Sequence, residues 1–254
     1  MQRSDNVKVK EIFDFLNRLY PLETACDFDN PGLLIGDGEA NVSKALIALD
    51  CTLETVKKAI KENANLIITH HPVIFGGLKK INAGSISFEL IKNGISVISM
   101  HTNLDIGEGG VNDCLCKVLK LEKIIPYTAK DGYLLKCGTV SPISADFFAK
   151  QIKDVLGGCI KYVDGGRKIE KVLVCSGSGG DFISDAINGG FDALVTADIK
   201  HHCFLEAKDF NLSLFDAGHF NTEDIVIEPL KETLKKEFPE IDFITYHSTS
   251  ILYC

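Results

Sequence analysis

No stretch of this 254-residue chain approaches the ~20 consecutive apolar residues that a membrane helix requires, so no membrane association is expected. The opening residues, MQRSDNVKVKEIF, carry charges every few positions and lack an apolar signal region, which points to a cytoplasmic protein. Basic residues are in short supply: 27 Lys and Arg against 35 Asp and Glu leave a net charge of −8 and a pI near 5.4. Affinity for a polymeric nucleic acid comes from clustered Lys and Arg, so such a partner is not expected. A nucleotide or another small anion stays compatible, because a bound metal supplies local positive charge whatever the net charge.

Clustered cysteine is also missing. The nine cysteines are scattered singly from Cys26 to Cys254, mostly inside apolar stretches such as VLVCSG and LLKCGTV, and read as reduced core thiols. Cys114 and Cys116 form the one tight pair, but C-x-C on a helix points its side chains apart and makes a poor metal site. The glycine signatures of phosphate loops are absent as well. SGSGGD at 176–181 matches neither G-x-G-x-x-G nor the P-loop, and reads as a tight strand-to-helix turn whose amides could alternatively bind an anion. Gly76-Gly77 and Gly107 to Gly110 also read as turns.

What remains is an ordinary globular composition, 45% hydrophobic and 24% charged. Ile12, Leu16 and Leu19 mark an amphipathic helix over residues 7–19, stopped by Pro21, and Asn30-Pro31-Gly32 marks a turn. KALIALD, a helix over 53–63, NLIIT, a helix near 87–93 and ISVISM then alternate as βαβ units do. From about Lys123, GYLLKCGTV, a helix over 144–156 and CIKYVD read as a separate strand–helix–strand insertion. KVLVCS, a helix over 182–187, DALVTA, a short helix near 204–207, NLSLFDA and a long helix past Thr222 resume the pattern. The expectation is an α/β protein of two similar halves with mixed, largely parallel sheets: one lobe over 1–125, a second over 126–254, packed together around the site. LIITHH matches LVTADIKHH and VISMHTNLD matches LFDAGHFNTE, as in a degenerate repeat. Six of the seven histidines fall at strand carboxy-terminal ends, where open α/β sheets collect functional groups; His247, in FITYHS, stands apart.

Three elements carry chemistry. His70-His71 ends a strand before Pro72, so a turn there could aim both imidazoles at metal, although a hydrogen-bonded or solvent-facing pair reads the same way. His101 and Asp105 in HTNLD follow another strand; Asp105 is either a ligand, a group orienting an imidazole, or the cap of a helix after Gly110. His219 and Glu223 in GHFNTE are spaced to share one helix face and one metal, or else Asn221 caps that helix with Glu223 in its first turn. Histidines and carboxylates without clustered cysteine suit a hydrolytic site for Zn, Mn, Fe or Mg. Asp198 and His202 read as substrate-side or proton-transfer groups, or as purely structural ones. His201 reads as exposed, and Asp29 and Asn30 as side chains serving a backbone turn.

DNPGLLIGD, LDCT, THHPVIF, HTNLD, TADIKHH and GHFNTE, in this order and across nearly the whole chain, resemble the Nif-three-like dinuclear metal family, whose members are commonly named GTP cyclohydrolase 1 type 2 homologues. The resemblance implies two divalent ions held by His70, His71, Asp105, His219 and Glu223, with His101 close by. It also implies a ring-shaped homohexamer with the metal sites facing an interior cavity, and a hydrolase for purine nucleotides with GTP ring opening as the named reaction. Phe28 departs from the Trp usual before Asp-Asn, and Ala197 from the Gly of a Thr-Gly-Asp pattern. The function expected is metal-dependent hydrolysis of a nucleotide or related small molecule, with His101 or His202 moving protons. A metal-dependent phosphoesterase and a non-catalytic metal-binding or protein-interaction scaffold are the alternatives.

Overall fold

The computed structural model describes residues 7–249 and 251; Cys254 and the first six residues of the amino-terminal stretch lie outside them. The chain divides into two compact units, one reaching to Glu108 and resuming at Val226, the other holding Gly109–Ile225.

The first unit opens with α1 (Val9–Leu19), which buries Val9, Ile12 and Leu16 at helical spacing and ends just before Pro21. It continues with β1 (Gly32–Ile35), β2 (Lys44–Ala48), α2 (Leu53–Glu62), β3 (Leu66–Thr69), α3 (Ile86–Lys92), β4 (Ser96–Ser99) and α4 (Thr102–Ile106). Local chemistry sets the helix ends. The Thr52 hydroxyl accepts from the Thr55 amide at 3.1 Å, Ser85 accepts from Phe88 at 3.3 Å, and Asn63 closes α2 in the left-handed region at φ 57°.

The second unit runs α5 (Val111–Val118), β5 (Glu122–Thr128), β6 (Leu134–Ile143), α6 (Ala145–Leu156), β7 (Lys161–Val163), β8 (Ile169–Ser178), α7 (Ile183–Asn188), β9 (Ala193–Ala197), α8 (His201–Asp209), β10 (Ser213–Asp216) and α9 (His219–Glu223). Its sheet has the order β5-β6-β8-β9-β10-β7, with β8, β9 and β10 parallel and the outer pairings antiparallel. Period-2 alternation builds a core on each face. Val172, Val174, Val195 and Phe215 pack with Phe148 and Ile152 of α6, whereas Leu173, Leu194 and Leu214 pack with Ala186 of α7 and Ala207 of α8.

The chain then returns to the first unit as α10 (Ile227–Glu237) and β11 (Asp242–Tyr246). The first sheet has the order β1-β4-β3-β2-β11, parallel throughout except for β1 against β4. Strands β3 and β4 are buried along their whole length, as strands of a covered parallel sheet are.

Three expectations need correction. The contiguous lobes over 1–125 and 126–254 give way to an interrupted first unit, because β11 pairs with β2 and completes that sheet. The strand–helix–strand insertion is not separate: β6 pairs with β8 and β7 with β10, satisfying backbone groups that the parallel trio would leave open. The long helix past Thr222 is broken into α9, a 3₁₀ turn over Asp224–Val226 and α10. Pro229, third in α10, has no amide to donate to an upstream turn and is tolerated only near a helix start. The predicted turn at Asn30-Pro31-Gly32 leads directly into β1, with Gly32 at φ 128°.

Among the described residues, no helix is long and apolar enough to cross a membrane. Burial pushes the Cys51 and Cys116 thiols up to about 12, consistent with inert core thiols.

Phe148 is 1% exposed and meets Phe215 edge-to-face at 5.3 Å. Phe148→Ala should cost about 3–5 kcal/mol through lost burial and the cavity left behind, read as a lowered urea midpoint for the second unit.

Candidate metal centre

Parallel neighbours β3 and β4 place their carboxy-terminal ends side by side, with the Met100 amide donating to the Thr69 carbonyl at 2.9 Å. His70 and His71 follow β3 immediately, and His101 lies just past β4. The rings of His70 and His71 are 4.9 Å apart, those of His70 and His101 5.2 Å, and those of His71 and His101 5.6 Å. One ring nitrogen from each lies within 4.8 Å of the others, a spacing that can hold a metal ion.

Each imidazole is held by its Nδ1. His70, which is 1% exposed, meets the Met100 carbonyl at 2.9 Å; a carbonyl only accepts, so Nδ1 carries the proton and Nε2 the lone pair. His71 Nδ1 lies 2.7 Å from Asp50, just past β2, and His101 Nδ1 lies 2.7 Å from Asp29. The remainder of HTNLD is equally tied down. Thr102 donates its amide and hydroxyl to Asp29, and Asn103 accepts from the His101 amide at 2.9 Å while donating to the Tyr20 carbonyl at 2.7 Å. Burial pushes the Asp29 carboxyl up, but hydrogen bonds from His101 and Thr102 outweigh it and hold it at about 2. Buried Asp105 sits within α4 with Oδ1 3.6 Å from His70 Nε2, too far for a hydrogen bond. The N-cap of α5 is Gly110, with no side-chain cap, so Asp105 does not serve as one.

The second unit repeats the arrangement at the end of β10. His219 Nε2 lies 3.0 Å from Glu223 one turn later on α9, and its Nδ1 lies 2.7 Å from Asp198. Burial alone would lower the His219 pKa, but hydrogen bonds and charge from Glu223 and Asp198 raise it to about 9. Glu223 is 3% exposed. Its niche depends on Gly177, at φ 59°, where an added Cβ would stand 2.1 Å from Glu223 Oε1. Thr222 and Thr196 hold the Gly177 amide and carbonyl, each at 3.0 Å, so the SGSGGD segment is a tight turn that makes room for Glu223. Asn221 does not cap α9, whose N-cap is Gly218; it donates to the Leu156 carbonyl at 2.9 Å.

The structure thus gathers His70, His71, His101 and Asp105 in one unit and His219, Glu223 and Asp198 in the other. His201 and His202 are exposed on the first turn of α8, outside every metal-capable group among the described residues. His247 pairs with Glu228 at 3.1 Å. Asp50 and Asp29 serve as orienting groups that residue pattern does not single out; their place within LDCT and DNPG is the one local signal. Converging imidazole lone pairs with buried carboxylates are chemically unfavourable without a cation, and imidazole and carboxylate donors suit divalent metals. The group of His70, His71 and His101 in the first unit can therefore hold metal.

These features and the fold coincide with a known family. The chain belongs to the Duf34/NIF3 (NGG1p interacting factor 3) family, whose family model matches residues 7–250. A Clostridium acetobutylicum protein named GTP cyclohydrolase 1 type 2 homolog is 35% identical over 231 residues, 86% of this chain and 86% of the relative. A Campylobacter jejuni relative of the same name is 35% identical over 236 residues, 90% of this chain and 92% of its own. Among solved structures, Staphylococcus aureus hypothetical protein SA1388 superposes with a TM-score of 0.91 at 30% identity, covering 98% of this chain and 100% of that one. Reduced HcgD from Methanocaldococcus jannaschii superposes with a TM-score of 0.83 at 30% identity, covering 94% and 98%.

Gly177→Ala should cost about 1–3 kcal/mol in urea unfolding through its left-handed φ and the clash with Glu223. In a double-mutant cycle Glu223→Ala should relieve about 1 kcal/mol of that loss; strict additivity would place the clash elsewhere. The Asp29 carboxyl is held below its ordinary 3.8, so its contribution is complete above that pH and disappears as pH falls toward 2. Asp29→Asn should lower stability by about 2 kcal/mol at neutral pH, with the difference from wild type shrinking steadily as urea melts are repeated at lower pH.

Proposed function

We propose that this chain is a metal-dependent hydrolase acting on a nucleotide or related small molecule at a two-metal centre. The observation that carries this reading is the grouping of His70, His71 and His101, whose Nδ1 atoms are held by the Met100 carbonyl, Asp50 and Asp29, with one ring nitrogen of each within 4.8 Å of the others. His70, His71, Asp105, His219 and Glu223 are the proposed ligands. The ions would polarise a substrate bond and acidify water.

The protein's own groups do the rest. Asp50, Asp29 and Asp198 orient imidazoles. His101 donates its Nδ1 proton to ionised Asp29 and can take up a proton at Nε2, so proton movement is assigned to it first. His202, exposed at the start of α8, is the second candidate. The names of the Clostridium and Campylobacter relatives support a cyclohydrolase-like reaction on a purine nucleotide. The family resemblance supports a ring-shaped homohexamer.

Metal analysis of the purified protein beside His71→Ala and Glu223→Ala, with a nucleotide-hydrolysis screen on the same samples, tests this reading. About two ions per chain, lost in both variants together with hydrolysis, are expected. Release of formate identifies ring opening, whereas release of phosphate identifies a phosphoesterase. Metal-free wild type, or activity unchanged in Glu223→Ala, would overturn the assignment.

A further inference from the structure

Two large aromatic side chains stand in solvent beside the imidazole cluster: Phe28 is 67% exposed and Phe75 54%. Single exposed apolar residues are ordinary, but these two come from separate loops and meet, with ring centroids 6.4 Å apart and planes tilted by 40°. Phe75 also sets its ring edge-on to His101 at 6.0 Å. We propose that Phe28 and Phe75 form a subsite that stacks the planar heterocyclic ring of the substrate next to His101. This rests on the hydrolase reading above and adds to it the residues that hold the ring.

The pair is held in place by its surroundings. Asn30 donates to the Ile74 carbonyl at 2.6 Å and so ties the loop of Phe28 to the loop of Phe75. Asp29, directly after Phe28, is bonded to His101 and Thr102, and Val73 and Ile74, directly before Phe75, pack against the buried core. Two rings carried on loops held from both sides expose apolar surface that a stacked ligand would cover. Beyond Phe75, Gly76 and Gly77 have no atoms near the positions their Cβ would take, which leaves the approach open, and exposed Lys79 and Lys80 on the same loop offer charge to an anionic tail.

The chemistry of the occupant follows from position. A flat ring on Phe75 brings its substituents to His101, whereas an aliphatic chain would cover the rings without presenting a bond to that imidazole. Stacking on aromatic side chains is tolerant of base identity, since every base has a π face. The subsite therefore selects for a ring and not for one particular nucleobase.

Equilibrium dialysis of the full chain as purified, with its metal content measured, against ATP, GTP, CTP, UTP and inorganic triphosphate tests the proposal. Wild type should bind each nucleotide about tenfold or more tightly than triphosphate. Phe28→Ala combined with Phe75→Ala should erase that preference while triphosphate affinity and metal content stay unchanged, and Phe28→Trp should retain it. No preference in wild type, or a preference intact in the double variant, would overturn the subsite. So would a double variant that changes the molecular mass in light scattering but keeps the preference, because the pair would then be a contact between copies of the chain. Wild type without metal but with a ring preference lost in the double variant would sink the hydrolase reading and leave the subsite standing.

Discussion

The candidate centre depends on the hydrogen bond at each imidazole Nδ1. Neutral imidazole has two tautomers and a ring free to rotate, and only a fixed tautomer presents Nε2 as a donor in a defined direction. Here Asp50, Asp29 and Asp198 hold His71, His101 and His219, each at 2.7 Å, and a main-chain carbonyl holds His70 at 2.9 Å. Carboxylate partners make three of the four imidazoles stronger donors than the fourth. Remove these bonds and the histidines become polar side chains at strand ends with no reason to converge.

Holding these groups is costly, and the fold offsets the cost locally. Asp29 has no exposed side-chain surface, yet it accepts from His101, Thr102 and the Asn30 amide, which keeps it ionised. Two left-handed conformations serve the same groups: Gly177 at φ 59° makes room for Glu223, and Asp198 at φ 55° reaches His219. Both units also use one topological device. The trio β2-β3-β4 is bordered by antiparallel β1 beside β4, and the trio β8-β9-β10 by antiparallel β7 beside β10. The degenerate repeat seen as LIITHH against LVTADIKHH is thus a repeat of strand order, though the second His pair has moved onto α8.

Much of this was legible from residue order. The alternation of short apolar runs with amphipathic segments marked most strands and helices, though not β1, β5 or α4, because burial on two faces demands continuous Val, Ile and Leu, and burial on one helix face demands a spacing near 3.6. The placement of β5 to β7 in the second sheet was not legible, nor was the return of α10 and β11 to the first. Those depend on which sheet edge a strand meets, and apolar pattern carries no label for the partner.

The sequence by itself determined the element types, the histidines and carboxylates that carry the chemistry, and their location at strand ends, since all of these follow from side-chain chemistry and local periodicity. Only the tertiary structure decided that Asp29 and Asp50 are orienting groups, that Gly177 is the niche for Glu223, and that Phe28 and Phe75 touch beside His101. Asp29 lies 72 residues from His101 and Asp50 lies 21 from His71. A hydrogen bond across such a separation exists only once strand pairing, antiparallel β1 with β4 for Asp29 and parallel β2 with β3 for Asp50, has brought distant loops to one end of a sheet.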